Sequence, residues 1–162
     1  MRLLNATIVA ICCTSPVLAQ SDHLAPLFPQ STQSTQSKSV AHSRTHRVVI
    51  QVTQNDAAVM NLALNNAENL SKFYKDKGEK IEIEFVAFGA GLNMVRSDTS
   101  PVKERLAMLS KNMTFTGCGN TLTNQSKMEN KEITLVPEAR IVPAGIARVV
   151  ELEEQGWTYV RP

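Results

Sequence analysis

Cys118 stands between two glycines in the run Met-Thr-Phe-Thr-Gly-Cys-Gly-Asn-Thr over 113–121. Met113–Gly117 alternates like a short strand, and the run then turns. Gly117 and Gly119 permit tight backbone angles and the close approach of a ligand. Asn120 and Thr121 offer side-chain oxygens to cap a helix. A cysteine at such a strand-to-helix turn lies near backbone N–H groups and a helix N-terminus, and both favour the thiolate. The chemistry indicated is that of a nucleophilic thiol. The competing reading is a small buried apolar residue, which a glycine-flanked turn argues against.

The elements around this run follow from periodicity. Arg47–Thr53 is β-branched and mostly apolar, the pattern of a buried central strand. Gln54, Asn55 and Asp56 form a polar turn in which Asp56 is the helix cap. The spacing of Val59, Leu62, Ala63, Leu70, Phe73 and Tyr74 predicts a long amphipathic helix that stops at Gly78. Lys80–Phe88 begins by alternating and ends apolar, as a second strand would. Gly89–Met94 reads as a loop, with two glycines but no third at a helix start, which makes it a backbone platform rather than a phosphate fingerprint. Pro101 opens a helix whose inner face is Val102, Leu106 and Leu109.

Beyond the cysteine, Thr121–Glu129 reads as a short polar helix with Leu122 and Met128 turned inward. A fourth strand is expected in either Ile133–Val136 or Ile141–Val142. Pro143, Ala144 and Gly145 open a last helix through Gln155, with Ile146, Val149, Val150 and Leu152 on its inner face. Trp157–Val160 closes the chain as a strand, its Trp157 and Tyr159 serving as core and interface contacts.

Strands alternating with helices imply an α/β three-layer sandwich with a mostly parallel sheet of about five strands. In such sheets ligands gather at the carboxyl ends of the strands. There Cys118 would meet Gln54, Asn55, Gly89, Asn93, Gly119, Asn120 and Thr121 as a substrate-binding set, with the Pro143-Ala144-Gly145 turn as a fourth loop. No histidine falls in these loops, so a Cys–His hydrolase arrangement is unsupported. The spacing of His23, His42 and His46 suits no metal, and the thiol chemistry needs no cofactor.

The N-terminal part reads differently. Residues 1–19 have a basic start at Arg2, an apolar run from Leu3 to Cys13, and a small-residue ending at Ala19, the pattern of a secretory signal peptide and too short for a membrane span. Export to the periplasm or the exterior is therefore expected. Cys12 and Cys13 would leave with the signal, so Cys118 would remain alone and without an internal disulfide. Residues 20–45, rich in Ser, Thr and Gln, read as a disordered linker, and residues 46–162 as one domain. The chain carries 17 basic and 15 acidic residues. Arg2, Lys38, Arg44 and Asp22 precede the domain and leave it formally neutral, with no electrostatic footprint for nucleic acid.

The strand ending in Cys-Gly-Asn-Thr, the run Ile-Val-Pro-Ala-Gly-Ile over 141–146 and the ending Glu-Gln-Gly-Trp-Thr-Tyr-Val-Arg-Pro over 154–162 resemble the DsrE/DsrF-like superfamily. The resemblance extends over essentially all of 47–162. It implies a flavodoxin-like fold and assembly as a trimer or hexamer. It also implies a sulfur relay with a persulfide carried on the cysteine that follows a middle strand, the position of Cys118, exchanging sulfur with donor and acceptor thiol proteins. The family's relay proteins are cytoplasmic, whereas this chain carries an export pattern. Two functions are therefore expected: a sulfur carrier or sulfurtransferase acting through Cys118, or a non-catalytic oligomeric module for small-ligand binding or assembly, with an incidental or redox-sensing cysteine.

Overall fold

The computed structural model describes residues 44–162. The segment read as a signal peptide and nearly all of that read as a linker lie outside the described residues. Thr45, placed last in the linker, already pairs with Lys80 as the first residue of β1.

Five strands, β1 (Thr45–Val52), β2 (Lys80–Ala87), β3 (Thr114–Cys118), β4 (Ala139–Val142) and β5 (Thr158–Val160), form one sheet in the order β4-β3-β2-β1-β5. Every pairing is parallel. Between them lie α1 (Ala57–Asp76), a 3-10 helix (Gly89–Val95), α2 (Lys103–Leu109), α3 (Gly119–Glu129) and α4 (Gly145–Glu154). The architecture is a three-layer α/β sandwich, flavodoxin-like in its layers and its all-parallel sheet.

The strand order dictates how the layers fill. From β1 to β4 the chain steps one way across the sheet, so right-handed crossovers put α1, α2 and α3 on one face; the return to β5 puts α4 on the other. The two cores reflect this. Val48, Ile50, Val52, Ile83, Phe85, Ala87 and Phe115 turn toward α1, the 3-10 helix and α2 in one large cluster. Val49 and Val86 turn the other way, against Val149 and Leu152 of α4, with Phe88 and Trp157 at the rim.

α1 begins as expected. Asp56 Oδ1 accepts the N–H of Ala58 at 2.7 Å and of Val59 at 3.2 Å, a cap worth about 1 kcal/mol. Its buried face differs: Met60, Ala63, Leu64 and Ala67 meet the sheet, whereas Leu62 and Phe73 are exposed. Two alanines let the helix sit close to the strands. Phe73 instead lies under the Lys77 ammonium, and Tyr74 stacks on His46.

The remaining elements follow the periodicity in part. Gly89–Met94 is part of a 3-10 helix with Leu92, Met94 and Val95 buried, not an open loop. Val102 and Leu106 are buried, and Leu109 packs partly against the same core, as read. The fourth strand is Ala139–Val142, while Ile133–Val136 contributes an isolated antiparallel bridge between Leu135 and Arg96. Met128 points outward, 85% exposed, although Leu122 does pack inward. On α4, Val149 and Leu152 are inner, but Ile146 and Val150 are 56% and 47% exposed. No helix among the described residues is long and apolar enough to cross a membrane.

Candidate functional site

β3 places its side chains alternately. Phe115 enters the large core, and a Cβ at Gly117 on the same side would come within 2.5 Å of Leu135 Cδ1. Thr116 and Cys118 therefore face α4. Neither glycine flanking Cys118 has a left-handed φ. Gly117 leaves room for Leu135, Leu92 and Val95, and Gly119 approaches the Val142 carbonyl. Their role is close packing of the chain against itself.

Cys118 ends β3 and is the N-cap residue of α3, with no side-chain cap. Asn120 and Thr121 are thus inside the helix, not its caps. The cysteine is buried, 6% exposed, contrary to what its glycine-flanked turn suggests, because Gly117 and Gly119 let the chain pack closely around it. Burial pushes its thiol pKa up, but neighbouring polar groups outweigh that effect and hold it below the ordinary value. These are the Thr121 hydroxyl, the Gly145 N–H, and the N–H groups of Thr121 and Asn120. The Asn120 N–H is also engaged by the Pro143 carbonyl at 3.1 Å, so its help is shared. The first turns of two helices, α3 and α4, converge on one sulfur, and none of these donors is a charged side chain.

Gly145 makes that convergence geometrically feasible. A Cβ there would lie 2.9 Å from Phe88 Cδ1 and 3.1 Å from Cys118 Cβ. Gly145→Ala is expected to cost about 1–3 kcal/mol by overpacking and to raise the Cys118 pKa as α4 backs away. Urea denaturation and the pH profile of alkylation read the two effects separately.

Thr121 Oγ1 accepts the Gly89 N–H at 3.1 Å. Gly89, at φ +57°, also presents its carbonyl to α3, where Gln125 Nε2 donates to it at 3.1 Å. Gln125 Oε1 in turn accepts from Arg96 Nη1 at 3.3 Å. Arg96 is buried between Asp98 and Glu129, bonded to both carboxylates. Its guanidinium, with Lys131, holds the Asp98 pKa well below the usual carboxylate range.

The structure gathers Gly89, Gly119, Asn120 and Thr121 with Cys118. It does not bring the other three candidates to the sulfur by any hydrogen bond. Asn93 Nδ2 donates to Asn55 Oδ1 at 2.7 Å, and the Thr99 hydroxyl donates to Asn93; these side chains tie the 3-10 helix to the turn after β1. Gln54 lines a small crevice with Val59, Arg161 and Pro162. His46 sits at the start of β1, bonded to Glu79, at the end of the sheet opposite Cys118. A groove of about 1040 Å³ lined by Lys72, Lys80, Ile81 and Met113 opens at that opposite end.

Sequence reasoning missed the polar cluster below Cys118 on the α4 side. Glu84, only 2% exposed, receives both Nε and Nη2 of Arg148 at 3.0 Å, Nη2 of Arg140 at 2.6 Å and the Thr116 hydroxyl at 2.8 Å. Burial raises the Glu84 pKa, but these bonds prevail and lower it. The cluster clamps α4, through Arg148, onto β2, β3 and β4. Two alternate acidic residues, Glu82 and Glu84, in the alternating start of the second strand were the available signal.

No protein-family model matches the sequence, and no curated protein matches it either. Among solved structures the chain is similar to MTH1491 from Methanobacterium thermoautotrophicum, a protein of unknown function, with 30% identity and a TM-score of 0.62 over 72% of this chain and 99% of that one. The chain belongs to the same family as MTH1491. The likeness to MTH1491 accounts for the fold and assigns no activity.

Proposed function

We propose that this protein is an exported DsrE/DsrF-like sulfur carrier that holds a persulfide on Cys118. The observation that carries the reading is the place of Cys118, at the N-cap of α3 and against Gly145 at the start of α4, where neighbouring polar groups hold its thiol pKa below the ordinary value. Such a setting favours the thiolate, the form that attacks sulfur. The thiolate would attack the outer sulfur of a sulfane donor such as thiosulfate or an organic persulfide. A new S–S bond forms, the donor's S–S bond breaks, and sulfite or a thiolate leaves with the electron pair. An acceptor thiolate then takes the outer sulfur and restores the Cys118 thiolate, with no net redox change. The trimer or hexamer that the resemblance implies belongs to the same proposal, and exposed Ile146 and Val150 on α4 are apolar surface that assembly would cover.

The full chain, treated with an alkylating agent across pH and mapped at the Cys118 peptide, should label with a midpoint below the ordinary thiol value of about 8.5. After thiosulfate or polysulfide, the same peptide should gain the mass of one sulfur, and Cys118→Ser should abolish the gain while the fold persists. Labelling that requires denaturation would overturn the proposal in favour of the non-catalytic module.

A further inference from the structure

The two faces of the sheet are covered unequally. α4 rests where Val49 of β1 and Val86 of β2 meet Val149 and Leu152. Among the described residues, no helix covers the strip over β3 and β4 on that face. Thr114, Thr116, Arg140 and Val142 belong to this strip, since Thr116 pairs with Arg140 and Cys118 with Val142. Strands lie about 4.8 Å apart, so the midline of β3 and β4 is two spacings, about 9.6 Å, from that of β1 and β2. Packed helices lie about 8–10 Å apart. The open strip is therefore one helix wide, and a helix in it would touch α4 along its side. On the other flank only the three-residue β5 remains, which is too narrow.

The outer surface of α4 itself suits that place. Ile146 and Val150, one turn apart, are exposed. The helix ends in exposed Glu153 and Glu154 with no basic residue in its last turn, against the sign of the helix dipole. The strip carries the opposite sign. A groove of about 420 Å³ opens there between Arg148 and Trp157 on one side and Lys111, Thr114 and Arg140 on the other. Arg148 is shared between Glu84 and Glu151, and Glu82 pairs with Arg47. Exposed Lys111 and half-exposed Arg140 thus face the one remaining claim of Glu84 with positive charge in excess.

The levels agree as well. Gly145 lies beside Cys118, and from there to Glu154 the helix descends about 13.5 Å. From Cys118 to Thr114 the strand descends about 13 Å. The acidic end of α4 therefore stands near the level of Thr114, where the groove is.

We propose that a second copy of this chain fills the strip, each copy laying its α4 over β3 and β4 of the other about a two-fold axis parallel to the strands. Turned about that axis, each acidic end keeps its level and meets Lys111 and Arg140 of the other copy. The contact is isologous, and it covers Ile146 and Val150. Such an axis gives an even number of copies: a dimer, or a hexamer where it joins two trimers. The inference rests on the reading that this domain assembles, and not on persulfide chemistry at Cys118.

Analytical ultracentrifugation of the full chain should give an even number of copies. Lys111→Glu alone, or Glu153→Lys together with Glu154→Lys, should weaken the two-fold contact about tenfold or more, because like charges then meet. Mixing the two variants should restore association, since both contacts of the mixed pair join opposite charges. All three residues are exposed, so the fold, followed by circular dichroism, should persist. Should a reversed chain not fold, carbodiimide coupling of Glu153 or Glu154 to Lys111 between wild-type copies of two isotopic compositions gives the same reading. A lone chain, an odd number of copies, reversed variants that associate like wild type, or a mixture that stays apart overturns the proposal. Gain of one sulfur at Cys118 in a lone chain would leave the sulfur-carrier reading standing, so the two fail separately.

Discussion

Glu84→Gln is expected to destabilise the domain by about 3–5 kcal/mol, the cost of removing one partner from a buried ion pair. Two guanidinium groups share this carboxylate, and its removal leaves them facing each other across Thr116. Arg140, about half exposed, can swing into water; Arg148, at 21%, is held by the body of α4. The loss should therefore fall toward the lower end of the range and appear as a lowered urea midpoint.

Its pH dependence has a definite sign. The folded Glu84 pKa is lowered, so its stabilisation is fully present above the unfolded glutamate value of about 4.3 and is lost as pH falls through the folded value. The gap between wild type and Glu84→Gln should stay constant from neutral pH down to about 5 and close below about 4. A gap that persists in acid would mean that the carboxylate's charge is not what holds the cluster.

Gly91→Ala is the second large effect. A Cβ there would sit 2.3 Å from the Val52 carbonyl oxygen, 2.5 Å from its carbon and 2.7 Å from Thr53 Cα. These are backbone atoms at the end of β1, so no side-chain rotation relieves the overlap. The 3-10 helix or the strand end must move, at a cost at or above the top of the usual overpacking range of about 1–3 kcal/mol. Gly89, two residues earlier, offers the opposite case: its Cβ would meet nothing within 4 Å, but its φ is +57°. Gly89→Ala should cost only about 1–2 kcal/mol, from the left-handed backbone. Thermal denaturation of the pair separates lack of space from lack of conformational freedom, and equal losses would show that the close approach at Gly91 is easily relaxed.

Gly91 also shows where the sequence could mislead. Two glycines in a strand-end loop suggest a surface for a ligand, yet here the approaching backbone is the chain's own. The layers were legible because hydrophobic periodicity is local: the strands and helices fall close to where spacing puts them, and Asp56 caps as its type suggests. The inner face of α1 was not, because Ala63 and Ala67 contribute little hydrophobic signal while exposed Leu62 and Phe73 contribute much. Glu84 escaped for a related reason. Alternation makes it share a side with Glu82 but cannot say that α4 covers one and not the other.

Around Cys118, the strand-to-helix turn carried the signal for Gly119, Asn120 and Thr121, and the 143–145 turn for Gly145. The bonds of Gln125 to Arg96 and Gly89 join residues 29 and 36 positions apart. No local pattern marks such pairs.

The unequal cores have a kinetic meaning. α4 rests on the smaller cluster of Val49, Val86, Val149 and Leu152 and on the Arg148–Glu84 clamp, while α1 and α2 share the large one. Local opening proceeds by contiguous units, and α4, packed on the smaller cluster, can open without disturbing the large one. With it would go the Gly145 N–H. The reactivity of Cys118 is thus a reporter of whether that one helix is seated, and amide exchange in α4 and the protonation of the thiol should follow the same opening equilibrium.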